Sequence, residues 1–215
     1  MLLRIDRTWT GQPAPAAAIH AARQGDHVVL RALAPGGHDP LPAGPPGPTP
    51  RLWEHEVVEW FCVGADGRYL EVELGPGGHH LVLQLAGVRQ VTAQGLPLDC
   101  DARRVEGWWA AWAAVPLAWL PPPPWRAAGF RLHGPPEARV HLLSVALPGA
   151  VPDFHQPGHF PPVGSDLPAA DGPADAEACL TAVRAGLDGG PPPATLVAWL
   201  ASARKGGAGR ARGGL

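Results

Sequence analysis

Asparagine is absent from this 215-residue chain, and lysine occurs once, at Lys205. Such shortages point to a GC-rich coding sequence, so the abundance of alanine, of glycine (28) and of proline (28) is discounted as structural evidence. Basic runs are also missing. Apart from Arg210 and Arg212 the charges are dispersed and the formal net charge is -2, which leaves no electrostatic footprint for nucleic acid. Cysteine is scarce and odd in number: Cys62, Cys100 and Cys179 share no metal-type spacing and exclude a disulfide scaffold. Cys62 lies within an apolar segment and reads as a small hydrophobe. No long apolar run opens the chain, because Arg4, Asp6 and Arg7 interrupt its first residues; neither a signal peptide nor a membrane helix is expected. The reading is a cytoplasmic chain without a membrane partner, of unknown oligomeric state.

What is present is unusual in its aromatics. Nine tryptophans stand against four phenylalanines and one tyrosine; tryptophan joins a large apolar area to a polar N–H and stacks on flat ligands. The length suits one well-buried domain with an appendage. Residues 2–9 alternate apolar and polar side chains, and residues 17–23 and 27–33 form a hairpin pattern across Gln24-Gly25-Asp26. Residues 34–50 are too rich in Gly and Pro for helix or central strand and read as a long loop. Residues 53–62, 69–74 and 80–85 predict three consecutive antiparallel strands, joined at Ala65-Asp66-Gly67 and at Gly75-Pro76-Gly77-Gly78. Further strands are predicted over 97–105, 108–115, 130–133 and 140–147.

Nine or ten short strands without an intervening helical pattern imply an all-β fold, an antiparallel β-sandwich of jelly-roll type. Beyond Gly164 the pattern changes: Ala178, Leu180, Val183 and Leu187, then Leu196, Val197, Trp199 and Leu200, recur at helical spacing. The predicted organisation is a sandwich over 1–164, two short helices over 165–205 packed on or beside it, and a disordered Gly/Arg tail over 206–215.

Carboxylates inside strands mark the candidate site. Period-two alternation puts Leu70, Val72 and Leu74 on one face, with Leu81, Leu83 and Leu85 expected beside them, and Tyr69, Glu71 and Glu73 on a polar second face. Glu59, between Val57 and Phe61, is a candidate buried carboxylate that needs hydrogen bonds, an arginine partner or a proton. Arg68, Arg89 and Arg131 are the candidate partners. The functional expectation is that Glu56, Glu59, Glu71 and Glu73, with His133, line one concavity that accepts hydrogen bonds from ligand hydroxyls; the competing expectation is a solvated sheet face with ordinary Glu–Arg pairs. No cofactor or metal is expected. His79 and His80 point to opposite faces, and Pro157 and Gly158 forbid the helix that would make the His155/His159 spacing useful. Nor is there a phosphate-binding loop, nucleophile elbow or zinc motif, so no catalytic residue is assigned.

Taken in order, several segments resemble the uncharacterised protein family 0462, whose members look like family-9 carbohydrate-binding modules and the wider DOMON-like β-sandwiches. The carriers begin with Arg4-Ile5-Asp6-Arg7-Thr8-Trp9-Thr10-Gly11, Leu52-Trp53, Glu56-Val57-Val58-Glu59 and Phe61. Tyr69-Leu70-Glu71-Val72-Glu73-Leu74, Pro76, Gly78, His80-Leu81-Val82-Leu83, Leu85, Gly87 and Arg89 follow. Trp109, Val115-Pro116, Leu132-His133-Gly134, Pro152-Asp153-Phe154-His155 and Phe160 close the series. The resemblance implies a sandwich with a ligand on one face, where aromatic rings stack on a pyranose and polar groups fix its hydroxyls. Trp53 is the first stacking candidate and Trp109 (or its neighbour Trp108) the second. The chain has Trp-Glu-His-Glu where relatives more often show Trp-Asp-Tyr-Glu, which removes an aromatic contact at His55. DOMON relatives also include haem binders, but the only methionine is Met1 and no histidine pair aligns, so haem is not expected. The expected function is non-catalytic binding of a small saccharide. Its rivals are an intracellular enzyme with Glu59 and His133 as acid and base, and an interaction module acting through the terminal helices.

Overall fold

The computed structural model describes residues 1–184 and 190–203; the tail expected over 206–215 lies outside the described residues. Twelve strands are formed: β1 (Leu2–Thr8), β2 (Pro13–Gln24), β3 (His27–Pro35), β4 (Val57–Val63), β5 (Tyr69–Leu74), β6 (His80–Leu85), β7 (Val91–Gln94), β8 (Asp99–Val105), β9 (Trp108–Pro116), β10 (Trp125–His133), β11 (Val140–Leu143) and β12 (Pro162–Gly164). Helices α1 (Gly172–Arg184) and α2 (Ala194–Ser202) follow. No described helix is long and apolar enough to cross a membrane.

Local chemistry explains the turns. Between Val105 and Trp108, Glu106 at φ 50° and Gly107 at φ 77° make the two-residue turn with both central φ positive, whose twist matches that of the flanking strands. The ladder is antiparallel in the order β7-β6-β5-β4-β10-β11-β1-β2-β3-β9-β8, with β12 added on β10. It doubles over at the two-pair contact of β11 with β1 (Arg7↔Leu143, Thr8↔Leu142), which gives a β-sandwich. The interior is asymmetric. Ala17, Ala21, Ala32, Ala34, Ala111 and Ala113 of one layer share a core with Trp60, Leu70, Val72 and Trp125 of the other. At Gly129 the layers come close, for a Cβ there would meet Ile5, Leu3 and Ile19 at 3.3–3.4 Å.

Both outer faces are covered as well. Over β9 and β3, α1 and α2 bury Trp108, Trp112, Leu33 and Ala18 against Cys179, Leu180, Val183, Leu196 and Leu200. Arg31 of β3 fastens them, donating to Asp175 Oδ2 at 2.8 Å, Ala203 O at 2.9 Å and Leu200 O at 3.2 Å. Over β4, β5 and β10 the cover is irregular chain at residues 147–160, whose Phe154 stacks on Phe130 with centroids 4.2 Å apart.

This double coverage corrects two expectations from the alternation. Glu71 pairs with Leu83, Glu73 with Leu81 and Leu70 with Gln84, so Leu81, Leu83 and Leu85 lie beside Glu71 and Glu73 rather than beside Leu70, Val72 and Leu74. The second face is therefore apolar, with carboxyls embedded in it. Residues 53–56 are not strand either: Leu52–Glu54 form a 3-10 turn and β4 begins at Val57.

Candidate functional site

A cavity of about 330 Å³ lies between the outer face of the β4–β5–β6 layer and the 152–155 cover. Its floor is Glu59 and Phe61 of β4, Glu71 of β5, Leu83 and Leu85 of β6, and Leu132 of β10. Its walls are Trp53 and His141 on one side, Arg89 and Val91 on another, and Asp153, Phe154 and His155 above. Trp53, 41% exposed on its 3-10 turn, leaves a ring surface open at the rim. Arg139 holds that turn by donating to Trp53 O at 2.8 Å and to His55 O.

Polar groups converge at the mouth. Arg89 donates to Asp153 Oδ1 at 2.9 Å, and its backbone N–H donates to the Tyr69 hydroxyl at 3.2 Å. These bonds hold Arg89 at φ 58°, a left-handed conformation uncommon outside glycine. The Tyr69 hydroxyl lies 2.8 Å from His155 Nδ1, and His155 Nε2 lies 4.0 Å from Glu71 Oε2. With the phenol donating to Nδ1, the imidazole proton sits on Nε2 and faces Glu71. Burial, then the charge of Arg89, lowers the pKa of His155, which keeps the ring neutral. Burial acts upward on Asp153, but bonds from Arg89 and the His155 N–H hold its carboxyl below the usual range.

Beneath the mouth, Glu59, Glu71 and Glu73 bring one oxygen each within 4.8 Å of one another. They are 2%, 3% and 0% exposed. Glu71 Oε2 and both Glu73 oxygens receive no hydrogen bond from any described residue outside the trio. Burial, chiefly, and then the charge of Glu71 push Glu59 well above the ordinary carboxylate range. Burial and the charges of Glu59 and Glu71 do the same to Glu73. Burial, against a bond with Glu73, brings Glu71 up to about 7. None of the three expected arginines reaches Glu59: Arg68 pairs with Asp66, Arg89 with Asp153 and Arg131 with Glu56.

The expected site residues thus divide. Trp53, Glu59, Glu71 and Arg89 meet at the cavity, and Glu73 lies beside Glu59 and Glu71 in the trio. Glu56, Trp109 and His133 gather elsewhere. Glu56 Oε1 accepts from Trp109 Nε1 at 2.8 Å and Arg131 Nη2 at 2.9 Å, and Oε2 accepts from Gly37 N–H at 2.9 Å. This buried cluster admits only glycine at position 36, where a Cβ would stand 2.7 Å from Arg131 Nη2. Trp109 is fully buried and Trp108 lies under the helices, so neither offers a stacking face. His133 lines a separate hollow with Glu56 and Arg131, and burial, then Arg131, lowers its pKa to about 4. Glu59 pairs with Phe130, three residues before His133, so alternation turns Glu59 and His133 to opposite faces and they form no acid–base pair. His141, Asp153, Phe154 and His155 escaped the sequence reading as site residues. In the sequence the segment 152–155 shows only family likeness and the rejected His155/His159 spacing, with no periodicity to aim its side chains.

No protein-family model matches the chain. It is 37% identical over 175 residues to the UPF0462 protein C4orf33 homolog of Mus musculus, covering 75% of this chain and 90% of that protein. It is 37% identical over 166 residues to the UPF0462 protein C4orf33 of Homo sapiens, covering 72% and 83%. Among solved structures, a family-9 carbohydrate-binding module from Caldicellulosiruptor kristjanssonii, in complex with glucose, superposes with a TM-score of 0.53 at 11% identity, over 79% of this chain and 85% of that one.

Proposed function

The chain belongs to the UPF0462 protein family, and we propose that its cavity above Glu59 and Glu71 binds a small polyhydroxylated ligand, a sugar or sugar derivative, without turning it over. One observation carries the reading: a half-open tryptophan ring and two buried carboxyls that form no ion pair with a described arginine face the same cavity. Trp53 supplies the stacking surface, and Glu59 and Glu71 hydrogen-bond hydroxyls within an apolar surround where each such bond is strengthened. Arg89 and Asp153 add a donor and an acceptor at the mouth. The volume stands at the lower end of the range for small-ligand pockets, roughly 300–1,000 Å³, which suits one or two sugar rings rather than a polymer chain. The fold shared with a family-9 module solved with glucose supports a saccharide as the ligand.

The test is a titration of intrinsic tryptophan fluorescence with mono- and disaccharides. A saturable change is expected, and Trp53→Ala should weaken the affinity at least about tenfold, or 1.4 kcal/mol. Silence across neutral, acidic and amino sugars would end the proposal.

A further inference from the structure

Glu59, Glu71 and Glu73 present an array of hard oxygen donors that no arginine among the described residues contacts in an ion pair, with the His155 ring standing 4.0 Å from Glu71. From this geometry we infer that the trio is a binding site for a divalent cation of calcium's size, set in the cavity floor. Three oxygens that all lie within 4.8 Å of one another fit around a common centre no farther than 4.8/√3, about 2.8 Å, from each. Calcium bonds oxygen at about 2.3–2.6 Å, inside that limit, and tolerates irregular geometry; magnesium demands a near-ideal octahedron at about 2.0–2.1 Å and gives up its water reluctantly, which disfavours it among carboxyls from two adjacent strands.

A second observation points to an occupant. Glu73 is completely buried, yet neither of its oxygens has a hydrogen-bond partner among the described residues outside the trio, and Glu71 Oε2 is in the same condition. Buried carboxyls are almost always satisfied, and a partly satisfied polar cluster in an apolar layer is destabilising. A dication would use these lone pairs and offset most of the charge. Carboxyls that hold protons in its absence would release them on binding. No histidine or cysteine belongs to the trio, so the donor set disfavours zinc and copper. Glu59 and Glu71 border the cavity, so water from it can fill the coordination positions that three carboxylates leave open.

The experiment uses calcium alone, with no saccharide, so its outcome is separate from that of the ligand reading. Protein dialysed against a chelator is titrated calorimetrically with calcium chloride and, in parallel, with magnesium chloride. One calcium per chain is expected, at least tenfold tighter than magnesium, with a thermal midpoint raised by about 5–10 °C at a hundredfold excess over Kd. Glu73→Gln keeps the shape and removes one charge, and should weaken calcium at least tenfold; Glu71→Gln serves if that variant does not fold. Trp53→Ala should bind calcium as the unaltered protein does. Absence of heat up to about 1 mM calcium, the weak end of calcium modules, overturns the inference. So does equal affinity for both cations, or calcium binding unchanged in the glutamine variants.

Discussion

Replacing Arg31 with methionine would test how the two helices are held to the sandwich. The guanidinium is 2% exposed and bonds across the layer to the Asp175 carboxylate and to the carbonyls of Leu200 and Ala203. Methionine fills most of the space but leaves Asp175, among the described residues, with the Asp171 N–H at 3.1 Å and the His20 ring at 3.3 Å, and deprives two carbonyls of a donor. Removing one partner of a buried pair costs about 3–5 kcal/mol, and the apolar replacement places the expected loss near the lower figure, about 3 kcal/mol. With a urea slope of roughly 2 kcal/mol per molar, the unfolding midpoint should fall by about 1.5 M, read by circular dichroism. The double variant with Asp175→Asn should lose less than the sum of the single changes. A fall smaller than about 0.5 M would refute the anchoring role. Saccharide affinity of the folded protein should not change, because the cavity lies on the far side of the other layer.

Other outcomes follow from the same reasoning. Glu56→Gln, which strips the charge opposite buried Arg131, should cost about 3 kcal/mol in urea unfolding while leaving the cavity's affinity intact. Phe130→Ala, which removes the ring stacked on Phe154, should cost about 3–5 kcal/mol and loosen the 147–160 cover, seen as faster proteolysis there. The contribution of His20 to stability should decline in mild acid, opposite in sign to that of the raised carboxyls Glu59, Glu71 and Glu73. Burial, then the positive charges of the amino terminus and Arg31, lowers His20 from 6.5 to about 4 despite Asp175 nearby. The folded state therefore resists a proton on His20 that the unfolded chain accepts, so this contribution is complete above pH 6.5 and is lost as pH falls toward 4. His20→Gln should remove that decline, leaving the one from His133, which shifts the same way.

The sequence disclosed the ladder better than the site. The hairpin around Gly25, the three strands of the acidic block and the helix at Ala194–Ser202 follow from turn residues and periodicity, and each forms near its predicted place. Val91–Gln94 and Pro162–Gly164, four and three residues long, are too short to display a period. Neighbourhood across β5 and β6 was illegible for another reason. Alternation reports a face only when one side meets water, and here the 147–160 cover makes the outer side a second core, so leucines and glutamates share it. Trp53, Glu59 and Glu71 could be chosen from residue type alone. Their cavity neighbours His155 and Asp153 lie more than eighty residues downstream, on chain with no regular structure, and only folding brings them together.

The strip closing the cavity is riveted to the sheet by Phe154 and Phe160, whereas Asp153 and His155 alongside look into the hollow. Phe154 does both, packing on Phe130 while it also lines the hollow. Under the proposed ligand reading, exchanging Asp153 and His155 would change the groups that meet a guest while Phe160 keeps its place in the core.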